Sequence, residues 1–244
     1  MAEMPGAEIP ETERLMAAID ATWPAAEMRA EGGWILRRGA GGGQRVSAAR
    51  GMGDPALAEA MMRTWGQDPI FSLTPAEAEL AEMLEARGYI CHDPVALYIA
   101  PVARLWSGGD ETAMLLRCQS PLALVDEIWS AGGIGPDRRA IMARCVLPKT
   151  TLLSRAGDHL SGCAFVAVDQ EIAMIHAIEV RQDLRRQGAG ARLLRGAARW
   201  AGEQGATFLA LAVTEANGPA NALYQKLGME VVGHYHYRIP AKGS

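Results

Sequence analysis

The sequence predicts an α+β fold, with a mixed, partly antiparallel sheet flanked by helices and two similar domains in tandem. Three observations predict it. Apolar runs of strand length alternate with amphipathic stretches of helical period along the chain. A break rich in Pro, Ser, Gly and Asp, "PVARLWSGGDET" (101–112), separates two patterned regions, here read as domains 1–105 and 110–244. Finally, "SLTPAEAELAEMLEARGY" (72–89) aligns without a gap on "AVTEANGPANALYQKLGM" (212–229), setting Thr74 on Thr214 and Gly88 on Gly228.

Each element follows from its local pattern. Residues 11–21 have helical periodicity, and "GWILRRGAGGGQRVSAAR" (33–50) reads as two short strands around a glycine turn. "DPALAEAMMRTW" (54–65) and "PAEAELAEMLEARG" (75–88) are helices, the first with Pro55 at an early position. "ALYIAPV" (96–102) closes the first region as a strand. Beyond the break, "TAMLLRC" (112–118) is a strand, followed by helices at 121–131 and 136–145. Three β-rich runs come next, at 150–156, 161–168 and 172–180. A helix from about 191, a strand at 207–213, a helix at 218–227 and a strand at 230–239 complete the chain.

Composition narrows the function classes. The chain has 244 residues, 49% hydrophobic and 21% charged, with a net charge of −4. Such acidity argues against wholesale binding to nucleic acid or to an anionic membrane. The first residues, "MAEMPGAEIPETER", lack the apolar core of a signal peptide, and the apolar runs are too short to span a bilayer, so a cytoplasmic protein is expected. The four cysteines, at 91, 118, 145 and 163, show no metal-ligand spacing, so reduced thiols and no metal are expected.

The stretch "RRQGAGARLLRGAARW" (185–200) stands out between the strand 172–180 and a helix whose Leu193, Leu194, Ala197, Ala198 and Ala201 share one face. Gly188 and Gly190 remove Cβ obstruction, so successive amides can converge on an anion at the positive end of the helix dipole. Arg185 and Arg186 add charge at the rim. A P-loop would need Lys-Ser/Thr after the second glycine, where Ala191-Arg192 stand. A dinucleotide fingerprint would need a third glycine where Leu193 stands. The arginines further along, Arg192, Arg195 and Arg199, are expected to be solvated surface charge.

Here the residues carry a resemblance. "VRQDLRRQGAG" (180–190) resembles the acyl-CoA pyrophosphate loop of the GNAT N-acetyltransferase superfamily, with the pattern Arg/Gln-x-x-Gly-x-Gly/Ala. Asn217, Ala220, Leu223, Tyr224 and Gly228 match the family's second segment, with Met229 in place of its usual Phe. The resemblance covers about residues 110–240, and the N-terminal half is similar to a diverged, non-catalytic copy. In the alignment of the halves, Tyr224 falls on Leu84 and Asn217 on Glu77, which leaves the chemistry to the second half.

The resemblance implies direct transfer of an acetyl group from acetyl-CoA to an amine of a small molecule or peptide, by a monomer or homodimer. The cofactor would lie between the strands ending at Val180 and Val213. Backbone groups of Ile178 and Val180 would bind the pantetheine arm. Those of Gln187, Gly188, Ala189, Gly190 and Ala191 would bind the pyrophosphate, with Asn217 and Ala220 on the cofactor side of the next helix. Tyr224 matches the family's tyrosine that protonates the departing thiolate. The base is His176, Glu179 or a water: strand alternation sets His176 on the face of Ile178 and Val180 and Glu179 on the other, unless a bulge intervenes. His234 and His236, alternating with Tyr235 and Tyr237, are candidates to border the acceptor pocket. A non-catalytic acyl-CoA-binding sensor is the alternative reading.

Overall fold

The computed structural model describes residues 8–106, 115–118 and 122–241. Helix α1 (Thr12–Thr22) leads into a small antiparallel sheet of β1 (Glu27–Glu31), β2 (Trp34–Arg38) and β3 (Arg50–Gly51). Then come α2 (Pro55–Thr64), β4 (Phe71–Leu73), α3 (Ala78–Ala86), β5 (Tyr89–Pro101) and the short α4 (Val102–Leu105). The second half holds β6 (Leu115–Cys118), α5 (Ala123–Ala131), α6 (Pro136–Arg144), β7 (Lys149–Ala156), β8 (His159–Asp169) and β9 (Ile172–Val180). It ends with α7 (Ala189–Glu203), β10 (Phe208–Thr214), α8 (Gly218–Lys226) and β11 (Glu230–Pro240). The expected strand positions 112–114 and helix position 121 lie outside the described residues.

The main sheet has eight strands in the order β4-β11-β5-β10-β9-β8-β7-β6. Strands from both sides of the 101–112 break alternate within it. The units β4-α3-β5 and β10-α8-β11 interleave, so that β5 pairs antiparallel with both β10 and β11, and β11 in turn with β4. The β9–β10 pairing is parallel, which makes the sheet mixed, as the sequence predicts. One face packs Leu15, Ile19, Trp34, Phe71, Leu97 and Tyr235 under α1, α2 and α3, and continues beneath α5 and α6 with Trp129, Ile141 and Phe165. The other face packs Ile175, Leu209 and Leu211 against Leu193, Leu194, Ala197, Ala198 and Ala201 of α7, the apolar stripe read from the sequence.

Several elements depart from expectation, among them β4 and α4, which the sequence pattern does not place. The stretch 33–50 supplies two short strands, β2 and β3, as expected, but a third strand joins them. The partner β1 comes earlier, across a turn through Gly32 and Gly33, both with positive φ. Its residues "EMRAE" are nearly all exposed, so no burial alternation marks it. Strand β5 is 13 residues long rather than seven, because its polar first part, "YICHDP", pairs with the end of β11.

Leu97 of β5 is fully buried between β10 and β11. Leu97→Ala should cost about 2–5 kcal/mol of stability. Because β5 and β11 exchange between the halves, tryptophan fluorescence and far-UV circular dichroism should lose signal in one coincident denaturant transition. Two separated transitions would contradict a shared sheet.

Candidate active site

The parallel ladder between β9 and β10 is short. It pairs Phe208 with Ile172, Leu209 with Ala173 and Ala210 with Met174, and then the strands part. On its other side β9 stays paired with β8, but with a register shift between Cys163 and Phe165, opposite Glu179 and His176. The extra residue is Ala177, at φ +51°. Its carbonyl accepts a 2.9 Å hydrogen bond from the Trp129 indole of α5, which pins the bulge. Ile175, Ile178 and Val180 therefore pack on the α7 face, while His176 and Ala177 face the α5–α6 side. Residues 211–214 and 175–178 line the opening, a cleft of about 350 Å³.

Helix α7 begins beside this opening. Gly188 is its N-cap at φ +80°, in the left-handed region that favours glycine, and Arg186 before it has φ +61°. The bond from Arg192 N to Gly188 O, 3.0 Å, is the first in register, so the amides of Gly188 to Ala191 precede the helical ladder. No acidic residue stands in the first turn. A Cβ on Gly190 would lie 2.9 Å from the Leu223 side chain, so glycine there lets α7 and α8 meet closely. Arg192 is not solvated surface charge. It donates to Gln187 O (2.8 Å), Ser154 Oγ (3.1 Å) and Arg155 O (3.2 Å), tying the loop to β7. Arg199 is also engaged, stacking over Trp106 and pairing with Glu203. Arg185 donates to Val180 O, 3.1 Å, across the foot of the loop.

Helix α8 starts at the end of β10. The Asn217 side chain caps it by accepting from Ala220 N at 3.3 Å, while Asn221 Nδ2 holds the carbonyls of Thr214, Glu215 and Asn217. About two turns on, Tyr224 points into the cleft, 6% exposed, its ring edge-on to Tyr98 at 5.4 Å. Burial, with Tyr98 adding to it, pushes the Tyr224 phenol up to about 12. It remains protonated at physiological pH.

His176 lies across the cleft, 3% exposed and stacked on Trp23 at 4.9 Å. Its Nε2 is 2.9 Å from Thr22 Oγ1. The Thr22 hydroxyl proton goes to Ala18 O at 2.6 Å, so Nε2 carries the ring proton and Nδ1 keeps its lone pair. Nδ1 is buried without a partner among the described residues. Burial first, and the charge of Arg45 second, hold the His176 pKa well below its ordinary value, so the ring is neutral.

The remaining wall comes from the first half: Gly42, Gly43, Gln44, Arg45, Asp93 and Val95. The glycine run is a loop seated on α6. Cβ atoms on Gly41 and Gly42 would collide with Asp137 and Ile141, and Gly43 sits at φ +91°. This contact carries Arg45 into the cleft, where its Nη2 donates to Ala212 O at 3.3 Å. Burial opposes the Arg45 charge, but the Tyr235 and Tyr237 hydroxyls more than offset it.

Comparison with known proteins adds to this geometry. Residues 132–229 match the family model described as the acetyltransferase (GNAT) family. An uncharacterised N-acetyltransferase of Bacillus subtilis, YobR, is 28% identical over 249 residues, covering 95% of this chain and 98% of that protein. Residues 132–229 thus resemble the GNAT superfamily, and the whole chain resembles one of its N-acetyltransferases. It is an acyltransferase. A GCN5-related N-acetyltransferase from Kribbella flavida shares the fold at a TM-score of 0.69 and 19% identity, over 94% of this chain and 95% of that one. A tandem GNAT protein from the clavulanic acid biosynthesis pathway aligns at a TM-score of 0.54 and 15% identity, over 75% of this chain and 67% of that one.

In this chain, Tyr224, Asn217, His176 and Ile178 line one cleft, and the loop 185–191 opens α7. Glu179 does not line it. The bulge turns Glu179 to the α5 side, where its carboxylate lies against Gly132 and pairs with Arg185 at 3.4 Å. The same bulge corrects the alternation reading: His176 and Glu179 share a face, opposite Ile178 and Val180. His234 and His236 do not border the cleft either. His234 pairs with Glu215 at the surface, and Tyr237 is the residue of that strand that lines the wall. Sequence reasoning missed Thr22, Trp23 and Arg45. Only the glycine run before Arg45 was a signal, and it was read as a turn between strands.

A histidine held neutral by burial binds protons less readily in the folded than in the unfolded chain, where its pKa is about 6.5. Below that pH the unfolded state takes up more protons, so stability should fall on acidification. His176→Phe should flatten the fall in Tm between about pH 7 and pH 5.5, read by differential scanning fluorimetry. An unchanged slope would mean that His176 is not buried as a neutral ring.

Proposed function

We propose that this enzyme moves an acetyl group from acetyl-CoA directly to a primary amine. The observation that carries the reading is the junction of a splayed β9–β10 edge with a glycine-capped helix start. Past Met174, β9 offers Ile178 and Val180 backbone groups to a pantetheine amide, as a further strand would. The amides from Gln187 to Ala191, with Arg185 and Arg186 at the rim, suit a pyrophosphate. Together they hold the thioester in the cleft, and positioning of this kind supplies much of the rate.

The reaction forms a C–N bond and breaks the C–S bond. The amine attacks as its neutral form, and the thioester carbonyl carbon passes through a tetrahedral adduct. His176 Nδ1 takes the proton that the nitrogen sheds as the bond forms. Its depressed pKa makes it a transient acceptor that passes the proton on to solvent. Tyr224 donates to the sulfur as CoA leaves. A phenol near 12 lies about three pKa units above a thiol, so its chief effect is a strong hydrogen bond to the developing thiolate. Glu179, paired with Arg185, steadies the pyrophosphate loop rather than acting as base.

We also infer that the halves are copies of one ancestral unit, residues 1–105 having kept the fold and lost the loop. The reciprocal placing of β4-α3-β5 and β10-α8-β11 supports this, as does the gapless match of 72–89 to 212–229.

Tyr224→Phe should lower kcat by about a hundredfold with an amine panel, leaving the Kd for acetyl-CoA near that of the parent. Gly188→Val, forced into left-handed backbone at a cost of about 1–2 kcal/mol, should weaken acetyl-CoA binding about tenfold by calorimetry. With Tyr224 near 12, the rate should rise with pH as the amine deprotonates and show no alkaline fall below about pH 10. Undiminished turnover in Tyr224→Phe would remove it from the chemistry.

A further inference from the structure

The cleft carries a charge imbalance that acetyl transfer does not use. Arg37 and Arg50 both pair with Asp20, and Arg14 pairs with Asp169 and Glu171, whereas the partly buried Arg144 and Arg192 lean on main-chain carbonyls away from the cleft lining. Arg45 has no carboxylate partner among the described residues. Its Nη2 donates to Ala212 O and its other partners are the Tyr235 and Tyr237 hydroxyls, while its Nε is sealed from solvent with no partner among the described residues. Arg138 of α6 also lines the cleft and makes no ion pair among the described residues. The one carboxylate among the lining residues is Asp93, which is occupied at the surface by His92 at 3.2 Å.

The tyrosine hydroxyls help satisfy the guanidinium by hydrogen bonding, but none of its partners among the described residues is a carboxylate, so an anionic ligand would supply the missing ion pair. The planar guanidinium fork suits a carboxylate better than a point-like anion. Its position is also informative. Arg45 is bonded to Ala212, next to Val213 at the mouth of the splay, and its charge is felt by His176. An anionic group on Arg45 would therefore lie only a few bonds from an amine placed for attack.

We propose that the acceptor is an amino carboxylate, a small molecule whose carboxylate docks on Arg45 while its amine meets the thioester. This rests on the acetyl-transfer reading above. The Gly41–Gly43 loop gains a role from it: the first half of the chain delivers the specificity-determining side chain to the cleft of the second. Docking a carboxylate there would also offset the Arg45 charge, one of the two influences that depress His176, so an acidic acceptor would strengthen its own base.

The test is a matched set built on several side chains: the free amino acid, its C-terminal amide and the parent decarboxylated amine, each assayed by CoA release. For at least one side chain the free acid should exceed both uncharged members by tenfold or more in kcat/KM. Arg45→Gln should collapse that ratio to near one, and Arg45→Lys should recover it only in part. In the parent enzyme, the N-acetyl amino acid should inhibit at least tenfold more tightly than its amide, a readout that needs no variant. Faster turnover of amides or parent amines by the parent enzyme would overturn the proposal while leaving acetyl transfer standing. So would an acid preference that survives in Arg45→Gln. Acetyl-CoA binding with no turnover of any member would overturn both.

Discussion

A sheet normally satisfies each interior strand on both edges. Here β9 keeps its β8 partner to the end but loses β10 after Met174, because β10 is drawn to the antiparallel β5 along its whole length, from Phe208 to Thr214. The rest of the cleft depends on that separation. It exposes the β9 edge just where the Ala177 bulge, held by the Trp129 indole, reverses which face each side chain meets. An unpaired strand edge is a liability unless something occupies it. In this chain Tyr224 of α8 and the Gly42–Arg45 loop line the gap, so the edge faces a shaped cleft.

The strand that causes the separation comes from the first half. β5 sits between β10 and β11, with Leu97, Ile99 and Tyr98 buried on its two faces. Helix α1, also from the first half, crosses β8 and β9. Arg14 anchors it to Asp169 and Glu171, and Thr22 and Trp23 at its far end meet His176. The first half thus contributes to the geometry of the cleft, the setting of His176 and the placement of Arg45.

Much of this was legible in the sequence. Helical and strand periodicity located nearly all elements, because most strands bury at least one face and α7 has a clean apolar stripe. The glycine loop before α7 and the place of Tyr224 on α8 were legible because their signals are local: glycines before a helix, and a tyrosine nearly two turns into the next. The bulge at Ala177 was not. Period-2 reasoning assigns His176 and Glu179 to opposite faces, and one inserted residue with no distinctive side chain undoes it. Arg192 was misread for a related reason. An arginine on a helix looks solvated until the neighbouring strand supplies Ser154 and the Arg155 carbonyl. Arg45 lay beyond reach, since its meaning depends on Ala212, 167 residues away.

A crystal structure with acetyl-CoA would test the splayed edge most directly. The pantetheine arm should add to β9 beside Ile178 and Val180, the pyrophosphate should rest on the amides of Gln187 to Ala191, and the sulfur should face Tyr224. A cofactor bound away from the β9 edge, or a pyrophosphate held by side chains elsewhere, would contradict it.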